Sequence, residues 1–327
     1  MNFKKVLLVF ATIVLSIITA GMELETVKAD IQNVSVTPLV EGTDSADRFE
    51  ISAEPNSVKA LKLSVTNFGL QPVEIKVKPT NATTSPSGEI GFDDSVAVGN
   101  YGLKYAFSSM TEAQSLRLKK NQTKDLTFKV KLPSQQLSGT VIGGFDVYDT
   151  HHPNDGHSGV GVYFKTNKSE TSNQPLKFHG ITPVVHGEQP YLNVDLANYN
   201  SKILKDSTVQ IKIKKNNWYN KLGLSNDYQV QDMDFKTIAP NSKVPIEFDL
   251  KQTPVIPGRY LVEGSIKRSG QVWHFKENVK VSSVAANLVN QASKNLIYDK
   301  TGLYVTIIGI LSMIIILIFW GISYQRR

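Results

Sequence analysis

Val58-Lys59-Ala60-Leu61-Lys62-Leu63-Ser64-Val65-Thr66 and Val73-Glu74-Ile75-Lys76-Val77-Lys78 decide the fold class. In both stretches apolar and polar side chains alternate. A period of two places one set on a core and the other in water, which is the signature of a half-exposed strand. Asn67-Phe68-Gly69 ends the first stretch and Pro72 precedes the second, so a turn joins them. Fully buried parallel strands would be apolar throughout, so antiparallel pairing is expected.

The same style continues outward in both directions. Leu126-Thr127-Phe128-Lys129-Val130-Lys131-Leu132 alternates and stops at Pro133. Residues 140–148 and 160–165 read as strands around a hairpin loop, 149–158. Residues 168–175, rich in Ser, Thr, Asn and Gln, mark a boundary. Beyond it, 191–196, 208–214, 243–250, 259–267 and 272–281 alternate again, punctuated by Pro257-Gly258 and Ser269-Gly270. About seven strands in each unit of about 100–135 residues predict an all-β chain of two tandem immunoglobulin-like β-sandwich domains. Both units open on a strand that ends in asparagine, Leu63-Ser64-Val65-Thr66-Asn67 and Val194-Asp195-Leu196-Ala197-Asn198. The match hints at a duplicated architecture, but it is too short to establish one.

The termini differ from the middle. Residues 1–29 read as a signal peptide: Lys4 and Lys5, then an apolar stretch, then Val27-Lys28-Ala29 as the cleavage pattern. Residues 303–322 carry no charge and supply the ~20 residues that a bilayer core requires. Tyr304 and Trp320 flank that run, and Arg326 and Arg327 follow it, an arrangement that predicts a type I membrane protein. The expected organisation is a first β-sandwich at 30–167, a second at 176–282, a juxtamembrane stalk at 283–302, the transmembrane helix at 303–322 and a cytoplasmic tail at 323–327.

The 327-residue chain has 36 Lys and Arg against 29 Asp and Glu, and no Cys. Disulfides, cysteine nucleophiles and thiolate metal sites are therefore excluded. Setting aside Lys4, Lys5, Lys28, Glu23, Glu25 and the two terminal arginines leaves the ectodomain at +4. That excess is too mild and too dispersed for nucleic acid.

Three segments carry a family resemblance. Thr140-Val141-Ile142-Gly143-Gly144-Phe145, the 232–242 segment containing Ala239-Pro240-Asn241-Ser242, and Pro257-Gly258-Arg259-Tyr260 resemble the WxL-interacting proteins of Gram-positive bacteria. The resemblance covers nearly the whole mature chain. It implies a scaffold on the cell surface, whose first domain binds peptidoglycan and a secreted WxL-domain protein. Its second domain would face a host ligand or another surface component. A host matrix protein bound by the second domain, as in an adhesin, is the alternative. The resemblance supplies no site residues.

The residues themselves offer binding chemistry rather than catalysis. No G-x-S-x-G, H-E-x-x-H or P-loop pattern occurs. Asp93-Asp94 and Asp232 with Asp234 read as solvated acids. His151, His152 and His157 with Asp149 and Asp155 form the one metal-like group, and a flexible surface loop is the plainer reading of it. No metal, cofactor or catalytic residue is assigned. Sugars pack apolar faces on aromatic rings, which makes Phe92, Tyr101, Tyr105, Tyr148 and Tyr163 candidates; for each of them a core position competes. If Phe145 faces the core, Tyr148 faces out. Trp218-Tyr219, within a polar basic stretch, reads equally as an interface anchor or as a loop plug. Tyr148, Tyr163, Trp218 and Tyr219 form the expected binding surface. His179 and His186 lie near the join of the domains, and His274 should point outward between Trp273 and Phe275.

Overall fold

The computed structural model describes residues 33–40, 47–153, 156–166, 174–215, 229–298 and 301–325. Trp218, Tyr219, Asp155 and the 1–29 segment lie outside the described residues.

The first body contains β1 (Val34–Leu39), β2 (Arg48–Ser52), β3 (Val58–Asn67), β4 (Val73–Thr84), β5 (Ile90–Asp93), β6 (Gln114–Leu118), β7 (Gln122–Lys131), β8 (Val141–Asp149) and β9 (Ser158–Lys165). A small sheet, β1-β3-β7, faces a six-stranded sheet ordered β2-β9-β8-β4-β5, with β6 also paired to β4. The alternation sets the burial: Leu61, Leu63 and Val65 are buried while Lys62 is exposed. These residues share one core with Val77, Phe128, Val147 and Val162. Phe145 is its centre, with the ring of Phe128 at 4.4 Å and those of Phe107 and Phe49 edge-on at 5.2 and 6.5 Å. Each such fully buried side chain contributes ~1.5–3 kcal/mol.

The second body contains β10 (Lys177–His186), β11 (Gln189–Asn198), β12 (Leu204–Lys215), β13 (Gln229–Ile238), β14 (Ser242–Asp249), β15 (Gly258–Arg268) and β16 (Gln271–Val281). Sheets β10-β11-β14 and β13-β12-β15-β16 enclose its core, built on Leu196, Val209, Ile211, Phe235, Ile246 and Val262.

The two bodies repeat one plan. β1, β3 and β7 correspond to β10, β11 and β14, and β6, β4, β8 and β9 to β13, β12, β15 and β16. The asparagine turns repeat atom for atom. Asn67 accepts from Gly69 N at 2.8 Å and donates to Gln71 O and Lys119 O at 2.8 and 3.2 Å. Asn198 accepts from Asn200 N at 3.0 Å and donates to Lys202 O and Ala239 O at 3.2 and 2.8 Å. The duplication that the sequence only hinted at is therefore visible in the fold.

Three expectations change. First, the pairing is not wholly antiparallel, because β2 runs parallel to β9. β1 stays with the small sheet while β2, the next strand in the chain, joins the large one. Second, β8 is buried on both faces from Val141 to Val147 instead of alternating. Its outer face is covered by Phe92 and by Ala239 of the second body, a burial that local periodicity cannot report. Third, the segment read as a stalk begins with α1 (Ser283–Ala292), which packs on the second core through Ala286 and Val289. Ser282 caps α1 by accepting from Ala285 N at 3.1 Å, and Asn290 bonds both backbone groups of Val255 at 2.8 and 3.0 Å.

The bodies meet through the Asn198 turn and the 239–242 turn. Thr140 N donates to Ser201 O at 2.6 Å, and Asn241 Nδ2 donates to Tyr101 O at 2.8 Å. Ala239 N donates to Thr84 Oγ1 at 3.0 Å. The Ser242 hydroxyl is committed to Ala239 O at 2.8 Å, so Thr84 is the donor in the 3.0 Å contact between the two hydroxyls.

α2 (Thr301–Gln325) ends the chain as a helix of 25 residues. Its described side chains are those of Tyr304 and of residues 306–320, and the large apolar ones among them are exposed. Among the described residues, no helix is long and apolar enough to cross a membrane.

Candidate functional site

The outer face of the large sheet of the first body gathers the strongest set of binding groups. Gly144 on β8 and Gly159 and Gly161 on β9 leave a floor without side chains, and the Phe92 ring lies over it. A Cβ on Gly144 would sit 2.4 Å from Phe92 Cγ, and one on Gly161 would sit 3.1 Å from Phe92 Cζ. Phe92 and Tyr163 belong to a small apolar cluster with Ala82, Ile142 and Ala239.

At one end of this floor Arg48 lies 5.0 Å over the Tyr163 ring and is held by Glu50, Nη2 to Oε1 at 3.0 Å. Burial pushes the Tyr163 hydroxyl up in pKa, and Arg48 pulls it partly back. At the other end the Tyr148 ring sits 5.1 Å from that of His157. His157 Nδ1 lies 2.7 Å from Asp146 Oδ1, and Nε2 lies 2.9 Å from Pro153 O. Pro153 O can only accept, so Nε2 donates to it, and the Nδ1 contact is made either by a ring proton donated to the carboxylate or by a carboxyl proton donated to Nδ1. Lys78, paired with Asp94, completes the edge.

The expected aromatics are thus divided. Tyr148 and Tyr163 are half-buried on this one face, at opposite ends of the glycine floor. Tyr101 serves the join of the two bodies, with rings of His179 and Tyr199 at 5.1 and 6.2 Å. Tyr105 packs on the first core and donates to Gln135. His186 pairs with Glu247 at 3.0 Å, and His274 is exposed between the half-buried Trp273 and Phe275. Asp93 and Asp94 are bonded acids: Asp93 accepts from Thr83 and Ser95 N, and Asp94 holds Lys78.

The described histidines of the loop turn to different partners. His151 and His152 lean on Asp149, His157 turns to Asp146, and among the described residues no cluster of three His, Asp or Glu is placed to hold a metal. Arg48 and the Asp146–His157 contact were absent from the sequence reading. The Gly159-Val160-Gly161 spacing did carry a signal, because period two puts both glycines on one face.

Burial raises the Asp146 carboxyl above the ordinary 3.8, His157 opposes this, and Asp94 and Asp93 reinforce it. The folded state then holds this proton at pH values where the unfolded chain has lost it. Stability from this group falls as pH rises from 3.8 toward the higher folded value, and it stays lost above. The urea midpoint of wild type relative to that of Asp146→Asn should fall as pH rises from just below 3.8. A constant difference across the series would show that burial of Asp146 is not felt.

Further concavities lie elsewhere on the described residues. A cleft of about 560 Å³ lies between Ser108, Glu112, Gln114 and the lysines Lys129 and Lys131. A shallow groove of about 360 Å³ on the second body is lined by Gln210, Lys212, Glu263, Ser265, His274 and Lys276.

Two duplicated sheet-built bodies, with aromatic and charged groups displayed on open faces, make this a protein of tandem β-domains. Residues 35–149 match the peptidoglycan binding domain of WxL Interacting Protein, and residues 155–291 match the host binding domain of the same protein. The chain belongs to the WxL-interacting protein family. Its domains indicate peptidoglycan binding and a role facing a protein partner. No curated protein matches the chain. Among solved structures it is similar to the YadV chaperone, at 10% identity over 76% of this chain and 100% of that one, with a TM-score of 0.28. The Pseudomonas aeruginosa CupB2 chaperone is similar at 11% identity over 72% and 98%, with a TM-score of 0.27. PapD-like domain 7 of human CEP192 is similar at 12% identity over 45% and 94%, with a TM-score of 0.25.

Proposed function

We propose that this protein is a membrane-tethered scaffold of the cell surface that acts by binding. The first body takes peptidoglycan on the face between Tyr163 and Tyr148. A secreted WxL-domain protein is its partner, and both bodies are immunoglobulin-like sandwiches. The observation that carries the peptidoglycan reading is the aromatic row of Tyr163, Phe92 and Tyr148 beside Arg48 and Lys78. Rings receive the apolar faces of sugars, and the charged groups beside them meet hydroxyls, amides and carboxylates. The tether rests on the sequence of residues 303–322, an uncharged run of the ~20 residues that a bilayer core requires. A signal peptide at 1–29 would deliver the two bodies to the outer side.

The test is retention of the full chain on purified cell wall. Tyr148→Ala with Tyr163→Ala should weaken retention at least about tenfold, since two anchor rings each carry ~1 kcal/mol or more. Retention equal to wild type would remove this face from the reading.

A second reading concerns a host matrix protein. The matched host binding domain favours it, and the groove around Gln210, Glu263 and His274 offers an exposed polar surface for such a ligand.

A further inference from the structure

We propose that the far end of the first body, formed by the Asn67 turn and the 119–122 turn beside it, is a docking end for a folded protein with an apolar hollow rimmed by carboxylates. It matches the end by which the second body seats on the first.

Duplication makes the ends of the two bodies directly comparable. Asn67 and Asn198 make equivalent bonds, each tying its own turn to a neighbouring turn through Lys119 O or Ala239 O. Asn121 and Asn241 occupy the same place in those neighbouring turns, both left-handed at φ 52 and 47. In the second body this end is covered. Ala239 and Ser242 are fully buried against the first body, Asn241 donates to Tyr101 O, and Ser201 O accepts from Thr140 N.

In the first body the corresponding positions face solvent and carry different chemistry. Where the second body has Tyr199 and Ser201, the first has Phe68 and Leu70, 63% and 75% exposed. Where the second has Ala239 and Pro240, the first has Lys119 and Lys120, both exposed. Two exposed apolar side chains on one turn, beside a pair of lysines, form an apolar anchor with a polar, basic rim.

The end is also enlarged. The second body closes β15 to β16 with a tight turn at Ser269 and Gly270, whereas the first joins β8 to β9 by the long 149–158 hairpin. That hairpin places His151 and His152 with Arg117, Glu74 and Pro72 around a cleft of about 200 Å³ at this same end. β4 runs from Val73 here to Thr84 at the second body, so the docking end lies opposite the join of the two bodies.

A positive rim selects an acidic partner surface and speeds encounter more than it deepens affinity, while the apolar pair sets the lifetime of the complex. The occupant is the WxL-domain protein, and the inference rests on that part of the proposed function.

The experiment uses the full chain in detergent and a purified WxL-domain protein as probe. Phe68→Ser with Leu70→Ser should lower affinity at least about tenfold, chiefly through faster dissociation. Lys119→Glu with Lys120→Glu should slow association and flatten its salt dependence. Val230→Ser, on the second body, should change neither. If wild type fails to bind the probe, the WxL partner fails, and this docking with it. If wild type binds and both double variants bind equally well while keeping their strand-type circular dichroism, the partner stands and this surface is wrong. Self-association of wild type that Phe68→Ser with Leu70→Ser abolishes would make a second copy the occupant and overturn the proposal. Loss of cell-wall retention alone in the lysine variant would assign the rim to an anionic polymer and overturn it equally.

Discussion

Gly143→Ala is expected to lower the stability of the first body by about 3 kcal/mol, and Gly144→Ala by much less. The two glycines are neighbours on β8 and serve opposite faces of one sheet. A Cβ on Gly143 would lie 2.2 Å from Phe107 Cβ and 2.6 Å from its Cγ. Phe107 is fully buried and wedged between Phe145 and Phe164, with ring centroids at 5.2 and 5.9 Å, so it has nowhere to retreat. A Cβ on Gly144 instead meets Phe92, a half-buried ring at the surface that can lift away. Urea titration should show the large shift for Gly143→Ala alone. Gly144→Ala should show its effect in cell-wall retention, because the displaced ring no longer lies on the glycine floor. Equal destabilisation by the two would mean that Phe92 is as fixed as Phe107, and the face would then be a rigid lid.

Asn198→Ala should cost about 3 kcal/mol, or roughly 6–12 °C in melting temperature. The side chain is fully buried and bonded at both ends. Its loss leaves Lys202 O and Asn200 N without their partner, and the Asn200 side chain also loses its 2.9 Å bond to Asn198 Oδ1. Each buried group left unpaired costs ~1–3 kcal/mol, far more than a bond exchanged with water. The same turn presents Ser201 to Thr140, so the join between the bodies should loosen as well. Differential scanning calorimetry should then resolve two transitions where wild type shows more coupled melting. A single, barely shifted transition would show that the asparagine turn is not the hinge-pin of the second body. Asn67→Ala should cost a comparable amount in the first body without touching the join.

Much of the sheet content was legible because it is local. Lys62 between Leu61 and Leu63, and Lys212 between Ile211 and Ile213, state which face is wet. The outward position of Tyr148 followed from the same parity once Phe145 was placed inside. The reading weakened where burial came from outside the strand. Asp146 and Ile142 look like solvent-facing positions by parity, yet Phe92, His157 and Ala239 cover them. The helix at Ser283–Ala292 lies in a segment read only as a stalk, and its destination was not legible, since Ala286 and Val289 suit a stalk as well as a core.

The sequence alone determined what is decided between neighbours in the chain: strand periodicity, the turns at asparagine, proline and glycine, the absence of disulfide chemistry, and the motifs that place the chain in its family. The tertiary structure decided what depends on residues far apart in sequence. It brought Phe92 onto glycines more than fifty positions away, set β2 parallel to β9, folded α1 back onto the second core, and closed one asparagine turn while leaving its twin open. The division is physical. Alternation and turn preference are properties of a few consecutive residues, whereas which of two equivalent surfaces is covered depends on the shape and chemistry of whatever body arrives beside it.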